Sequence, residues 1–269
     1  MRYKIDHDYH IHSFLSSCAS DPVQDERYIL EKAKKLGLSR ICLTNHYWDS
    51  AVPGASKWYE PQNFEHISKA KPLPEAEGVR YMFGCETELD KHMTLGCPAS
   101  RFDDFEFIII PTTHLHMTGF TIDEADDSIE ARARLWGERL LGLLKQPLPF
   151  HKIGIAHLST CLLNWNRRSM TDYLATLEQI SVTDMERAFT KAAEVGCGIE
   201  LNLSDMRTAG DALHTVLRPF YVAKACGCKF YLGSDAHVPA EFEDYHEIYE
   251  RVITALDLKE SDKFHLAQR

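Results

Sequence analysis

Histidine and carboxylate side chains recur in short motifs along this chain. In His10-x-His12 and Asp235-x-His237, two potential ligands are separated by one residue. On an extended backbone such residues lie on the same face, because side chains alternate with a period of two. Other short motifs, some with a single potential ligand, supply His46, Glu86, Glu88, His114, His116, His157, Glu200 and Asn202. A lone histidine is usually a hydrogen-bonded core residue, but that explanation does not account for so many histidines and carboxylates. We therefore interpret these residues as the ligands of a metal site.

The donor types indicate the class of metal. Neutral imidazole together with carboxylate suits Zn, Mn or Fe better than Mg or Ca. The candidate donors outnumber those that one tetrahedral ion uses, so we expect two or three divalent transition-metal ions. Glu86, alone on its predicted strand, is the natural bridging carboxylate. Clustered ions activate water and stabilise both oxygens of an in-line displacement at phosphorus, which predicts hydrolysis by a metal-bound hydroxide.

Short apolar runs alternate with longer amphipathic stretches, and these predict the elements that position the donors. Strands are predicted at residues 3–11, 40–44, 79–86, 105–112, 152–157, 198–202 and 229–234. Helices are predicted at residues 25–36, 63–70, 128–145, 183–195, 211–225 and 242–256. The alternation favours a parallel sheet, either a closed or nearly closed α/β barrel or an open doubly wound sheet. In both architectures functional groups collect where the strands end, and five of the seven predicted strands end at a histidine.

Taken in order, the motifs DYHIH, TNH, GCETE, TTH, IAH, IELN and GSDAH resemble the polymerase and histidinol phosphatase (PHP) superfamily. The resemblance runs from Asp8 to His237 and implies a single-domain distorted (β/α)7 barrel over residues 1–269 with a trinuclear metal site. It implies one metal bound by His10, His12, Glu86 and Asp235, a second bound by Glu86, His114 and His157, and a third bound by His46 and His237.

Within the superfamily, IELNLSDMR followed by CKFYLGSDAH is most similar to the histidinol-phosphatase branch. That similarity implies a phosphate contact for Arg207, whose guanidinium suits phosphate geometry, and L-histidinol phosphate as the leading substrate. Two positions depart from the family pattern. Cys18 stands where the family usually has a His or Asp ligand of the third metal, with Asp21 close behind, and Asn45 replaces a carboxylate. The third site is therefore expected to be altered, weaker or empty, and Cys18 is either a thiolate ligand or a structural thiol.

Composition limits the possible partners. The formal net charge is −10, and no dense cluster of basic residues predicts a nucleic-acid surface. No apolar run approaches the length of a membrane span, and the first residues hold no signal-peptide core. The eight cysteines form no CxxC pair, which favours reduced thiols. We therefore expect a soluble cytoplasmic enzyme that acts on a small-molecule phosphate ester; its oligomeric state stays open.

Three other functions compete with this interpretation. An amidohydrolase-type barrel also opens with HxH, but it usually carries a bridging Lys where this chain has Glu86. A PHP-type nuclease or nucleotide phosphatase fits the motifs but not the acidic charge. A domain that binds metals for structure alone would not need so complete a set of ligands. No residue stands out as a general acid, and we expect Glu88, His116, Asn202 and Asp8 to orient ligands rather than bind metal.

The loop at 47–78 is rich in aromatic residues and is expected to lie over the pocket. Its aromatic side chains either shape specificity or pack the loop onto the barrel: Tyr47, Trp48, Trp58, Tyr59.

Overall fold

The computed structural model describes residues 1–19, 21–164 and 169–266, and for Thr208 the backbone only. Within these residues the strands are β1 (His7–Ile11), β2 (Arg40–Leu43), β3 (His46–Tyr47), β4 (Arg80–Phe83), β5 (Cys85–Thr87), β6 (Ile108–Pro111), β7 (Ile153–Ala156), β8 (Gly198–Asn202) and β9 (Lys229–Gly233). The helices are α1 (Glu26–Lys35), α2 (Phe64–Ile67), α3 (Ile129–Leu143), α4 (Met170–Gln179), α5 (Val182–Val195), α6 (Leu203–Thr208), α7 (Leu213–Ala225) and α8 (Tyr245–Ala255). The predicted α/β class is confirmed.

The strands form two sheets in which every neighbouring pair is parallel. One sheet has the order β1-β2-β4 and the other has the order β3-β5-β6-β7-β8-β9. Backbone hydrogen bonds connect the end of β1 to the segment after β9: Asp235 N–H donates to the carbonyl of His10 at 2.7 Å, and His12 N–H donates to the carbonyl of Ala236 at 3.1 Å. The first and last strands therefore lie side by side.

The predicted strand at 79–86 is two strands that belong to different sheets. It breaks at Gly84, where an added Cβ would lie 2.5 Å from the carbonyl oxygen of Phe107 and 2.7 Å from Sγ of Cys42. The close approach of the neighbouring backbone leaves no room for a side chain, so the glycine is required there. The chain passes from one sheet to the other at this point, and β5 carries Glu86 into the larger sheet.

Two apolar clusters stabilise this arrangement. The larger one lies between the strands and the helices, and each helix contributes its buried face to it. For α1 that face is Ile29, Leu30 and Ala33, and the helix begins where the Asp25 side chain accepts a hydrogen bond from Tyr28 N–H. The smaller cluster combines strand residues of both sheets, Tyr9, Cys42, Met82, Ile109, Ala156 and Tyr231, with Phe107 and Phe264 from outside the strands. The two sheets thus share an interior of their own, separate from the helix-facing core.

Two helices, α4 and α6, were not predicted from the sequence. Helix α6 starts directly at the end of β8, where the Asn202 side chain accepts a hydrogen bond from Asp205 N–H. A six-residue helix is too short to show a periodic apolar pattern. No helix among the described residues is long and apolar enough to cross a membrane.

Candidate metal centre

The candidate ligands meet at the end of the sheets where the parallel strands terminate. His10 and Glu86 lie within β1 and β5, His157 directly follows β7, and Asp235 lies two residues beyond β9. His157 and Asp235 have positive φ angles, 31° and 55°. Non-glycine residues rarely adopt this backbone, and such strain concentrates at functional sites.

Four donor atoms form the first cluster, which consists of His10, His12, Glu86 and Asp235. The two Nε2 atoms of the histidines lie 3.0 Å apart. Oε2 of Glu86 is 3.4 Å from Nε2 of His10 and 3.3 Å from Nε2 of His12. Oδ1 of Asp235 is 3.3 Å and 3.2 Å from the same two nitrogens. Both histidines and Glu86 are almost fully buried.

These separations fit a metal ion. A tetrahedral ion with ligand bonds of about 2.0–2.1 Å holds its donors roughly 3.3–3.4 Å apart. The spacings of the first cluster lie at or just below that value. In addition, Oε2 of Glu86 makes no hydrogen bond within the described part of the chain although it is buried. A buried carboxylate oxygen normally has a hydrogen-bond partner, so this atom, which lies 3.0 Å from Nδ1 of His46 as well, indicates a position where a cation binds.

In His10 and His12 the ring nitrogen that faces away from the cluster, Nδ1, already has a hydrogen-bond partner. Nδ1 of His10 lies 2.6 Å from Oε1 of Glu200, a carboxylate that can only accept, so this nitrogen carries the proton. Nδ1 of His12 lies 3.0 Å from Oγ of Ser16, whose hydroxyl donates to Oδ1 of Asn45 at 2.9 Å. When neutral, both rings therefore present a bare Nε2 lone pair to the cluster. Four lone pairs then converge on one point, and only a cation or a proton relieves their repulsion.

A second cluster consists of Glu86, His114 and His157. Oε1 of Glu86 lies 3.0 Å from Nε2 of His157, whereas its Oε2 faces the first cluster. Nδ1 of His114 lies 2.7 Å from Oε2 of Glu88, which leaves its other nitrogen for the site. One carboxylate thus presents one oxygen to each cluster, the geometry of a bridging ligand.

A third cluster consists of His12, Cys18, His46 and His237, with their ligand atoms within 4.8 Å of one another. Asp21 is in none of the three clusters that the described residues form. The side chain of Asn45, at the position where a carboxylate was expected, accepts from the backbone N–H of Ser13 at 2.8 Å and from Ser16. It therefore supports His12 through Ser16.

Burial and charge shift the pKa values at the site in opposite directions. Burial raises the pKa of Glu86, but His46 and the other imidazoles outweigh it, so the pKa lies well below the usual range. Burial lowers the pKa of His10, but Glu200 and the carboxylates of the cluster reverse this and hold the pKa well above its usual value. A proton therefore competes with a metal for these lone pairs, and metal affinity should fall in acid.

The outer residues include expected and unexpected members. Glu88 contacts His114, and burial raises the pKa of Glu88 to about 8, with Arg139 partly opposing the shift. Asn202 donates to Oε2 of Glu200 at 3.1 Å. Asp8 accepts from the backbone of His10 and Ser234, and His116 lines the cavity described below. Sequence reasoning missed the orienting roles of Glu200 and Ser16, although the place of Glu200 two residues before Asn202 on one strand face was a usable signal.

Arg207 lies on α6 and does not line the cavity over the clusters. Its Nη2 donates to the carbonyls of Glu241 and Glu243, at 2.8 and 2.6 Å, in the segment that follows His237. Phosphate binding by Arg207 stays a prediction.

A cavity of about 450 Å³ opens over the clusters. Its walls include Trp58 and Tyr59 from the aromatic loop, together with Met117, Phe120 and Leu162. Tyr47 and Trp48 from the same loop are buried, and the Tyr47 ring packs against Phe105. One part of the loop therefore packs onto the protein and another part lines the pocket, and a role of the lining residues in specificity stays a prediction.

Known proteins with related sequences and folds are phosphatases by name. No protein-family model matches the chain. Probable phosphatases of Thermoanaerobacter sp. and Thermoanaerobacter pseudethanolicus are each 26% identical to it over 247 residues, which is 89% of this chain and 82% of the relative. The chain is also similar in fold to a crystal structure of histidinol phosphate phosphatase from Lactococcus lactis, which is complexed with zinc, L-histidinol and phosphate. The TM-score is 0.64 and the sequence identity is 18%, and the alignment covers 97% of this chain and 98% of the other chain.

The shared fold and the related sequences agree with the resemblance to histidinol phosphatases that the motifs carry. The names of these proteins agree with the prediction of a phosphatase. The clustered His, Glu and Asp side chains also agree with the prediction of a metal-dependent enzyme.

Proposed function

We propose that this chain is a metal-dependent phosphomonoesterase with two or three divalent ions of Zn, Mn or Fe, and that L-histidinol phosphate is its leading substrate. The observation that carries the proposal is the convergence of four donor atoms, three of them on buried side chains, 3.0–3.4 Å apart in the measured pairs, with Nε2 of both imidazoles directed inward. Glu86 supports at least two ions, since its two oxygens face different clusters.

The roles of the chain's own residues follow from this arrangement. Bound divalent ions supply an activated water and offset the charge of a phosphate. His10, His12, Glu86 and Asp235 would hold the first ion, and Glu86, His114 and His157 the second. Glu200 holds His10 in the required tautomer, and Glu88 does the same for His114 when it is ionised. The aromatic and apolar cavity wall would exclude water from the reacting phosphate and accept the leaving group.

Several finer points belong to the same proposal. The inner cluster that both sheets share, and the hydrogen bonds between β1 and the end of β9, support a distorted (β/α)7 barrel formed by a single domain. All eight cysteines are free, which supports a reducing compartment such as the cytoplasm. The acidic net charge supports a small-molecule substrate rather than nucleic acid, and we propose no membrane partner.

The test is a panel of phosphate monoesters that includes L-histidinol phosphate and nucleotides, assayed with metal-stripped protein after addition of Mn, Zn or Fe. We expect phosphate release that depends on metal, and its loss in Glu86→Gln with the fold intact by circular dichroism. Glu106→Gln, which removes a carboxylate from an ion pair with Arg80, is the matched control. Turnover of amides but of no phosphate ester would favour the amidohydrolase alternative, cleavage of DNA would favour the nuclease, and no turnover with bound metal would favour a structural domain.

A further inference from the structure

The third cluster holds donors that the first two clusters do not use. His12 belongs to it by proximity, but its Nδ1 faces Ser16 and its Nε2 faces Glu86 and Asp235 in the first cluster. Neither nitrogen is left for a further ion. The remaining donors are Cys18, His46 and His237.

Both imidazoles of this group are placed to bind. Nδ1 of His237 lies 2.7 Å from the carbonyl oxygen of Asp235, so it donates its proton there and Nε2 keeps a free lone pair. The side chain of His46 is more than nine-tenths buried, and its Nδ1 lies 3.0 Å from Oε2 of Glu86 although neither atom has a hydrogen bond within the described part of the chain. Both rings line the cavity over the clusters. A buried imidazole nitrogen and a buried carboxylate oxygen that lie this close without a hydrogen bond indicate a bound cation, because buried polar atoms are normally satisfied.

Cys18 lies in the same cavity and is the exposed one among the eight free cysteines. The backbone around it is held in place: Ser17 N–H donates to Oε1 of Gln62 at 2.9 Å, and Ala19 N–H donates to the carbonyl of Ser16 at 2.9 Å. A sulfur that merely packs would be buried, as Cys42 and Cys85 are. Its position next to two oriented imidazoles, facing the cavity, is that of a ligand.

We propose that Cys18, as a thiolate, binds a third divalent ion together with His46 and His237, and that the fourth position of this ion faces the cavity. The proposal rests on the phosphatase function proposed above and adds a metal preference to it. Thiolate is a soft ligand, so this site should select Zn, Fe(II) or Co(II) and discriminate against Mn and Mg, which prefer oxygen donors. The first two clusters contain only nitrogen and oxygen donors and lack this discrimination.

The experiment uses metal-stripped full-length protein titrated with Co(II). A Co–thiolate bond gives a near-ultraviolet charge-transfer absorption that nitrogen and oxygen ligands do not give. We expect this band with the wild-type chain at saturation, and its absence in Cys18→Ser together with the loss of one Co per chain. Cys18→Asp should restore the third ion without the band and shift its preference toward Mn. The matched control Cys226→Ser, outside the clusters, should keep the band and all ions.

The affinity of the third site should fall at least tenfold in Cys18→Ser, because even the loss of an outer partner of a ligand costs about 10–100-fold. A second measurement on the wild-type protein does not depend on a variant that folds. Iodoacetamide alkylates a free thiolate with loss of iodide, so bound Zn should slow alkylation of Cys18 and leave Cys226 unaffected, as read by mass spectrometry.

The possible outcomes separate the two proposals. Saturation with Co and no charge-transfer band, or equal alkylation of Cys18 with and without Zn, overturns the thiolate site and leaves the phosphatase proposal intact. Failure to bind any ion overturns the phosphatase proposal itself, and the thiolate site with it.

Discussion

Glu200 should control metal binding although it is not a candidate ligand. It is fully buried and accepts from Nδ1 of His10 at 2.6 Å, from the backbone N–H of His157 at 2.8 Å and from the Asn202 amide at 3.1 Å. All three partners are hydrogen-bond donors, and a carboxylate, which has only acceptor oxygens, can accept all three hydrogen bonds. Glu200→Gln keeps the shape of the side chain but replaces one acceptor oxygen with an NH₂ group.

The amide group of the variant has two possible orientations, and both are unfavourable. If its NH₂ faces His157 and Asn202, buried donors oppose each other, which costs about 1–3 kcal/mol for each donor left unpaired. If it faces His10, the ring must accept at Nδ1 and place its proton on Nε2, which then cannot bind a metal. Loss of an outer partner typically lowers metal affinity about 10–100-fold, which corresponds to about 1.4–2.8 kcal/mol.

The assay is competition for Zn between the protein and a chromogenic chelator, followed by kcat/KM at saturating metal. We expect weaker binding of the ion in the first cluster and partial recovery of activity with excess metal. Glu106→Gln, which removes a carboxylate near the other end of the strands, should bind metal as the parent does. Unchanged affinity in Glu200→Gln would refute the view that this carboxylate fixes the tautomer of His10.

Three further substitutions test other parts of the molecule. Gly233→Ala would place a Cβ 2.0 Å from Oε1 of Glu200; we expect a lower Tm and lower metal content, since overpacking costs about 1–3 kcal/mol, and a parent-like Tm would contradict this. Arg207→Ala should lose about tenfold to hundredfold in kcat/KM at full metal content if Arg207 contacts phosphate, and Arg207→Lys should keep only part of the activity. Loss of metal from Arg207→Ala would instead mean that Arg207 acts by holding the segment after His237 in place. Burial lowers the pKa of His7 to about 4, with Asp6 partly opposing the shift. The unfolded chain therefore binds a proton that the folded chain does not as the pH falls from 6.5 toward 4, and the free energy of unfolding should decrease over that range. Denaturant titrations of metal-stripped His7→Gln should show a smaller slope with pH, and an equal slope would count against the shift.

The sequence predicted the α/β class and the end of the strands where the donors meet. This worked because two local rules, the alternation of side chains on a strand and the common direction of parallel strands, suffice to bring His10, His12 and Asp235 together. No local rule predicts that the strand at 79–86 divides at Gly84, since the cause is the approach of a backbone segment more than twenty residues away in sequence.

The partners of the ligands were harder to predict than the ligands. Asn45 was interpreted from sequence as a missing carboxylate, whereas in the structure its amide oxygen holds Ser16, which in turn faces His12. That relay depends on a turn after β1 meeting the end of β2, a contact between segments that are separate in sequence. Hydrogen-bonded partners of this kind leave no spacing pattern, so only the assembled fold reveals them.

The outer partners also have a consequence for stability. Four imidazoles have one nitrogen occupied by an acceptor of the protein: His10 by Glu200, His12 by Ser16, His114 by Glu88 and His237 by the carbonyl of Asp235. The chain thereby directs the other nitrogen of each ring toward the site before any ion arrives. In the metal-free chain a proton on His10 offsets the charge of the nearby carboxylates, since the pKa of His10 lies well above its usual value. Metal that binds only to the folded chain displaces this proton and should stabilise that chain by about 2.7 kcal/mol at a free-metal concentration one hundred times Kd. Tm should therefore rise with added Zn in the parent and much less in Glu86→Gln, which weakens both clusters at once; an equal rise in the two proteins would mean that the ion binds elsewhere.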